Sequence, residues 1–299
     1  MPKAQANGIE LEFETFGNPN SPPILLVMGL GGQLIHWDER FCQQLADGDH
    51  FVIRYDNRDV GLSTWFDEAG TPDVLALMAA TRAGQAVEVP YTLVDMAADG
   101  MALLDALGIE KAHVCGVSMG GMIAQRMAIE YPERLLSLTS IMSSTGNPDL
   151  PPAEPEVMAK LLGPAPGNLE QAMSHAITMA GLVGSPGYPA GEDEIRAMTE
   201  QAFRRAFHPQ GATRQLAAIA SDGNRVEALG KLDLPCLVIH GRDDALVPFA
   251  AGLDTAEAIP GATTLWIGGM GHDMPQALWG EVIEAIHANA TAPAGHRSP

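Results

Sequence analysis

Basic side chains, paired cysteines and long apolar runs are what this sequence has least of. Lys and Arg total 17 against 37 Asp and Glu, a formal net charge of −20. A chain so poor in cations lacks the positive surface that nucleic acids and anionic membranes require, so neither is expected as a partner. The cysteines, Cys42, Cys115 and Cys236, are odd in number and share no C-x-x-C spacing. That argues against a disulfide framework and a zinc site, and they read as reduced core thiols. No run approaches the roughly 18 apolar residues of a membrane span, and residues 1–14 lack the basic start and apolar stretch of a secretory signal. A soluble, cytoplasmic protein is the expectation, as a monomer or homo-oligomer, with no metal and no cofactor.

What is present is ample apolar material, 46% of 299 residues, enough for one sizeable core. Apolar strand-like runs at 24–28, 51–55, 113–117, 135–142, 236–240 and 264–267 alternate with helix-like stretches at 37–46, 94–107, 119–131, 250–258 and 276–288, after an opening extended segment at 10–15 that fits a hairpin edge. Runs apolar throughout suit strands covered on both faces, and the alternation predicts an α/β protein with a doubly wound, mostly parallel sheet. Between 143 and 226 the strand signal gives way to Pro, Gly and Met among helix-like stretches at 168–180 and 192–207. We therefore expect a core domain from residues 1–142 and 227–299, interrupted by a helical cap at 143–226. The insertion follows a strand end, where such sheets bind ligands. Residues 290–299 read as a frayed tail.

The chemistry starts at Gly116-Val117-Ser118-Met119-Gly120. G-x-S-x-G is a weak pattern alone, but here it directly follows a buried strand and precedes a helix, the setting that holds a serine exposed on a sharp turn. A serine hydroxyl is a poor nucleophile at neutral pH and needs a base, itself held by a third group. Of the nine histidines, His272 lies on a short glycine-rich loop (residues 268–272) between the last strand and last helix, at the carboxyl edge of the sheet. His240, ending a strand, competes for the role. For the acid, Asp243 and Asp244 stand side by side after the preceding strand, and residue physics leaves them level. The oxyanion of acyl transfer needs preorganised N–H donors. The Met119 amide, at a helix N-terminus, and the Leu30 amide, in the glycine-rich loop 28–32, are the candidates.

These motifs resemble the α/β-hydrolase family over nearly the whole chain, and within it the esterases related to aclacinomycin methylesterase. The resemblance rests on Leu26-Val27-Met28-Gly29, on residues 53–63, on Gly116–Gly120, on Gly241-x-x-Asp244-x-x-Val247-Pro248 and on Gly269-Met270-Gly271-His272. It implies a Ser118–His272–Asp244 triad, since the family's acid is the third residue after that glycine, and it implies Leu30 as the first oxyanion donor. Met28 stands where the family commonly has His, and Asp59 where it commonly has Gly; both variants occur in the methylesterase-like subgroup. Asp56, Arg58 and Asp59 read as a structural turn whose side chains satisfy loop backbone.

A serine nucleophile disfavours the dehalogenase and epoxide-hydrolase branches, which use a carboxylate. The expected activity is hydrolysis of small to medium apolar carboxylic esters, possible methyl esters included, with the small-molecule ester as the only partner. Met158, Met173, Met179 and Met198, with Leu161, Leu162, Leu182 and Val183, supply a pliant apolar cap wall. Lactonase, thioesterase, carbon–carbon hydrolase and perhydrolase activities fit the same acyl-transfer site, and a non-hydrolytic ligand-binding or signalling protein is the alternative from another class.

Overall fold

The computed structural model describes residues 2–293. One eight-stranded sheet runs through its centre, built from β1 (Lys3–Ala6), β2 (Ile9–Phe16), β3 (Pro23–Val27), β4 (Phe51–Tyr55), β5 (Ala112–Val117), β6 (Leu135–Ile141), β7 (Cys236–Gly241) and β8 (Thr263–Ile267). The order is β1-β2-β4-β3-β5-β6-β7-β8. The first two pairings are antiparallel and the rest parallel. The expected edge strand at 10–15 is β2. Its hairpin partner β1 is an addition, joined through Asn7 and Gly8, both at positive φ, as a two-residue hairpin turn with Asn-Gly requires.

Alternate residues of the central strands go to opposite faces, as strand geometry demands. Leu25, Val27, Ile53 and Val114 enter one apolar cluster with α3 (Leu93–Ala106) and α4 (Met119–Glu130), whereas Ile24, Leu26, Val52, Cys115 and Val117 enter another with α1 (Glu39–Asp47) and the last helix (Trp279–Ala290). That is why these strands read as unbroken apolar runs. All three cysteines are buried within them or beside them; burial pushes the Cys42 and Cys236 thiols up to about 12 and raises Cys115 further. They are inert core groups.

Between β6 and β7 the described chain is helical: α5 (Pro155–Leu161), α6 (Leu169–Val183), α7 (Glu192–Arg205), α8 (Pro209–Ser221) and the short α9 (Val226–Leu229), which packs on α4 and on α10 (Phe249–Ala258). The last helix is α11. Sequence periodicity missed α8 and also α2 (Val74–Arg82), which packs on it. α2, Val-Leu-Ala-Leu-Met-Ala-Ala-Thr-Arg, is apolar on nearly all sides and buries only Val74, so its sequence carries no one-sided stripe. Of the tail read as frayed, Ala290 still closes α11, and residues 294–299 lie outside the described residues. No helix among the described residues is long and apolar enough to cross a membrane.

At the amino edge of the sheet, away from the candidate site, His113 on β5 sits edge-on to His50, which stacks on His287 of α11 at 4.9 Å. His113 Nδ1 lies 2.8 Å from Ser137 Oγ, and no carboxylate pairs with it among the described residues. Burial, reinforced by the charge of His50, lowers the pKa of His113 to about 4 from 6.5. The unfolded chain therefore takes up this proton first, so stability is fully present above pH ~6.5 and is lost as pH falls through 4, by about 3 kcal/mol in all. Urea unfolding between pH 7.5 and 4.5 should show the larger part of that loss, and His113→Gln should flatten the slope; an unchanged slope would refute it.

Candidate active site

Ser118 caps α4 at the end of β5 with φ 55° and ψ −122°. A non-glycine residue holds this conformation only where its surroundings enforce it. Here Ser118 N–H donates to Ile141 O at 2.9 Å, and Ser118 O accepts from Gly121 N–H, Met122 N–H and Ser143 Oγ. The flanking glycines are forced by space. A Cβ on Gly116 would stand 2.0 Å from Gly120 O, and one on Gly120 2.1 Å from Val27 O. The strand and helix thus approach too closely for any side chain at either position, which explains why the pattern needs glycine on both sides of the serine.

His272 Nε2 lies 2.9 Å from Ser118 Oγ, and His272 Nδ1 lies 2.7 Å from Asp244 Oδ2. The other carboxylate oxygen of Asp244 accepts the amides of Leu246 and Val247 at 2.9 and 2.8 Å. Burial works to raise the Asp244 pKa, but the His240 imidazole behind it and the hydrogen bond and charge of His272 outweigh it, and the carboxyl is held at about 2. Asp243 is exposed and points elsewhere, accepting Gly269 N–H of the histidine loop at 2.7 Å. His240 does not reach Ser118 in any hydrogen bond among the described residues; its Nε2 bonds Val247 O at 2.8 Å and lies 3.5 Å from Asp244 Oδ2, behind the acid.

Loop 28–32 crosses directly over the nucleophile, since a Cβ on Gly29 would come within 3.2 Å of the Ser118 Cβ. Neither the Leu30 amide in this loop nor the Met119 amide at the start of α4 donates to a protein acceptor among the described residues. α4 starts directly after Ser118, so the positive end of its dipole lies at the serine.

Contacts from the segment between β6 and β7 were invisible to sequence reasoning. Val183 O accepts His272 N–H, Ser185 Oγ accepts Gly271 N–H at 2.9 Å and also bonds Asp273, and Gly187 N–H donates to Gly269 O. A second group reaches the turn at 56–59. Arg205 on α7 binds Asp56, and Arg214 on α8 binds Asp59 through two nitrogens at 2.7 and 2.8 Å. The turn therefore does more than satisfy its own loop. Asp56 accepts Leu34 and Leu62 amides and Asp59 the Phe66 amide, while each also anchors a helix, and Arg58 pairs with Asp99. Of the apolar residues singled out between β6 and β7, Met158, Met179, Leu182 and Val183 pack with Ala245 and Leu246 beside Asp244, whereas Met198 lines a surface hollow with Arg40 and Arg54.

The chain is similar to known proteins over most of its length. The chain is 29% identical to the rhodomycin D methylesterase DauP of Streptomyces sp. (strain C5), over 95% of this chain and 96% of that protein. It is 28% identical to a 2-hydroxy-6-oxononadienedioate/2-hydroxy-6-oxononatrienedioate hydrolase of Pseudomonas sp, over 73% of this chain and 79% of that one. The solved enol-lactonase of Burkholderia xenovorans LB400 superposes with a TM-score of 0.74 at 23% identity, covering 97% of this chain and 100% of its own, a likeness of fold. The sequence model of the alpha/beta hydrolase fold matches residues 22–175, which contain β3, the loop over the nucleophile and Ser118 itself. This chain belongs to the α/β-hydrolase fold family.

Proposed function

We propose that this protein hydrolyses carboxylic esters through an acyl-enzyme on Ser118, acting on small to medium apolar esters, with methyl esters of bulky acids as the leading class. The observation that carries the reading is the unbroken line from Ser118 Oγ through His272 to Asp244, at 2.9 and 2.7 Å. His272 Nε2 takes the hydroxyl proton as Oγ attacks the ester carbonyl, and the Leu30 and Met119 amides donate to the oxyanion. The proton passes to the departing alkoxide. Water, deprotonated by the same nitrogen, then releases the acid and frees Ser118. Asp244 keeps the Nδ1 proton in place and balances the imidazolium.

In this reading residues 143–226 form a cap domain over a site made by residues 1–142 and 227–299. Its apolar contacts beside Asp244 and the pairing of Arg205 and Arg214 with core aspartates favour a substrate without a required anionic group. The name of the methylesterase relative favours a methyl alcohol portion. The test is a rate panel in which acyl and alcohol parts vary separately, run beside a lactone, a thioester and a vinylogous diketone. We expect methyl esters of bulky apolar acids to lead in kcat/KM by about tenfold or more, a margin that pocket fit supplies. Faster turnover of the lactone or of the carbon–carbon substrate would overturn the ester assignment, and a single slow turnover on every ester would overturn catalysis.

A further inference from the structure

We propose that Gln215, on α8, is a positioning residue for the oxyanion hole: by holding the peptide that follows Leu30, it sets the direction of the Leu30 amide. The inference rests on the acyl-transfer reading of the Ser118 site.

Gln215 is fully buried. Its Oε1 accepts Gly31 N–H at 2.8 Å and its Nε2 donates to Arg58 O at 2.8 Å. With a donor facing one end and an acceptor the other, the side-chain amide has one orientation, because a flip would set like against like at both ends. The group is therefore rigid where it meets the loop. One turn earlier on the same helix face, Ala212 supports the contact: its Cβ lies 3.3 Å from the place a Gly31 Cβ would occupy.

The loop needs such a hold. Gly29, Gly31 and Gly32 surround Leu30, and the backbone bond from Gly32 N–H to Gly29 O at 3.1 Å closes the turn while leaving the peptides inside it able to rotate. Gly31 itself sits at φ 66°. Upstream, Asn57 Nδ2 fixes Met28 O at 2.9 Å; downstream, Gln33 Nε2 is fixed to Ala202 O and Ala206 O at the end of α7. Between these anchors the Gly31 N–H bond to Gln215 is the side-chain hold closest to Leu30. Without that bond Leu30 ψ and Gly31 φ are released, and the Leu30 Cα with the amide it carries can shift from its place over Ser118. An oxyanion donor acts only through preorganisation, so a misaimed amide raises the barrier without weakening ground-state binding. The consequence is that the helical segment between β6 and β7, besides walling the substrate, completes the catalytic loop.

The test compares wild type, Ser118→Ala and Gln215→Met, which keeps length and removes both hydrogen bonds. Ester turnover that is lost in Ser118→Ala secures the reading of the site; its absence overturns that reading and this inference together. With Ser118-dependent turnover in hand, Gln215→Met should lower kcat about 10- to 100-fold with KM within about threefold. Affinity for a trifluoromethyl ketone should fall in the same proportion, while inhibition by the product acid stays unchanged. A kcat within about twofold of wild type, a loss confined to KM, or equal weakening of both inhibitors overturns the proposal. If Gln215→Met loses its cooperative melt, Gln215→Ser, which leaves room for water, is read on the same criteria; failure of both to fold makes the residue structural and overturns it too.

Discussion

Ser118→Ala is expected to lower kcat on a p-nitrophenyl ester by about 10⁴- to 10⁶-fold while the thermal melt moves by no more than a few degrees. The separation of the two effects follows from the contacts. The hydroxyl bonds only His272 Nε2 among the described residues, whereas everything that fixes the backbone of Ser118 goes through its N–H and C=O. Alanine keeps the Cβ, so the strained turn at φ 55° is neither relieved nor worsened. Glycine at the same position is the informative contrast, because it adopts positive φ without strain and should melt higher than alanine while being equally inactive. The residual rate in either variant measures what the rest of the site does for a water attack. Activity of Ser118→Ala within about tenfold of wild type would remove Ser118 as nucleophile.

How far the site was legible in the sequence depended on how local its causes are. Ser118 and Met119 are fixed by a strand, a turn and a helix contiguous in sequence, and the glycines of that turn answer to clashes with neighbours four residues away or on the adjacent strand. His272 could be singled out because its glycine-rich loop follows the last strand, which puts the imidazole at the carboxyl edge of the sheet. Asp243 and Asp244 were level on residue physics because their difference is the direction of one loop. One carboxylate turns inward to His272 and two loop amides, the other outward to Gly269, and no periodicity encodes that choice. The hairpin at Asn7 and Gly8 carries a signal that is local too, an Asn-Gly pair at a two-residue turn. Gln215, Ser185 and the arginine pairs carried none: Gln215 meets Gly31 across 184 residues, and Arg214 meets Asp59 across 155. A polar residue on a helix of weak apolar pattern looks solvated until the fold brings its partner.

Asp244→Asn should cost about 10³- to 10⁴-fold in kcat at neutral pH, and Asp243→Asn less than about threefold. In the first variant the two loop amides of Leu246 and Val247 decide the outcome. They still require an oxygen acceptor, so the new amide must turn its oxygen to them and its NH₂ to His272. His272 Nδ1 then has to accept rather than donate, its proton moves to Nε2, and Nε2 faces Ser118 Oγ as a donor that cannot take the hydroxyl proton. The geometry survives and the tautomer is wrong. His240 does not rescue it, since its Nε2 bonds Val247 O and stands behind the acid. Asparagine at 243 keeps an oxygen for Gly269 N–H on an exposed loop and leaves the triad untouched. The wild-type carboxyl, held at about 2, stays ionised as pH falls through 4, and its own contribution to stability, fully present above the ordinary value of 3.8, is lost as pH falls from there through 2. An acid limb of the rate profile near neutrality therefore belongs to another group. Equal losses in the two asparagine variants, measured side by side as kcat on one ester, would take the acid's role from Asp244.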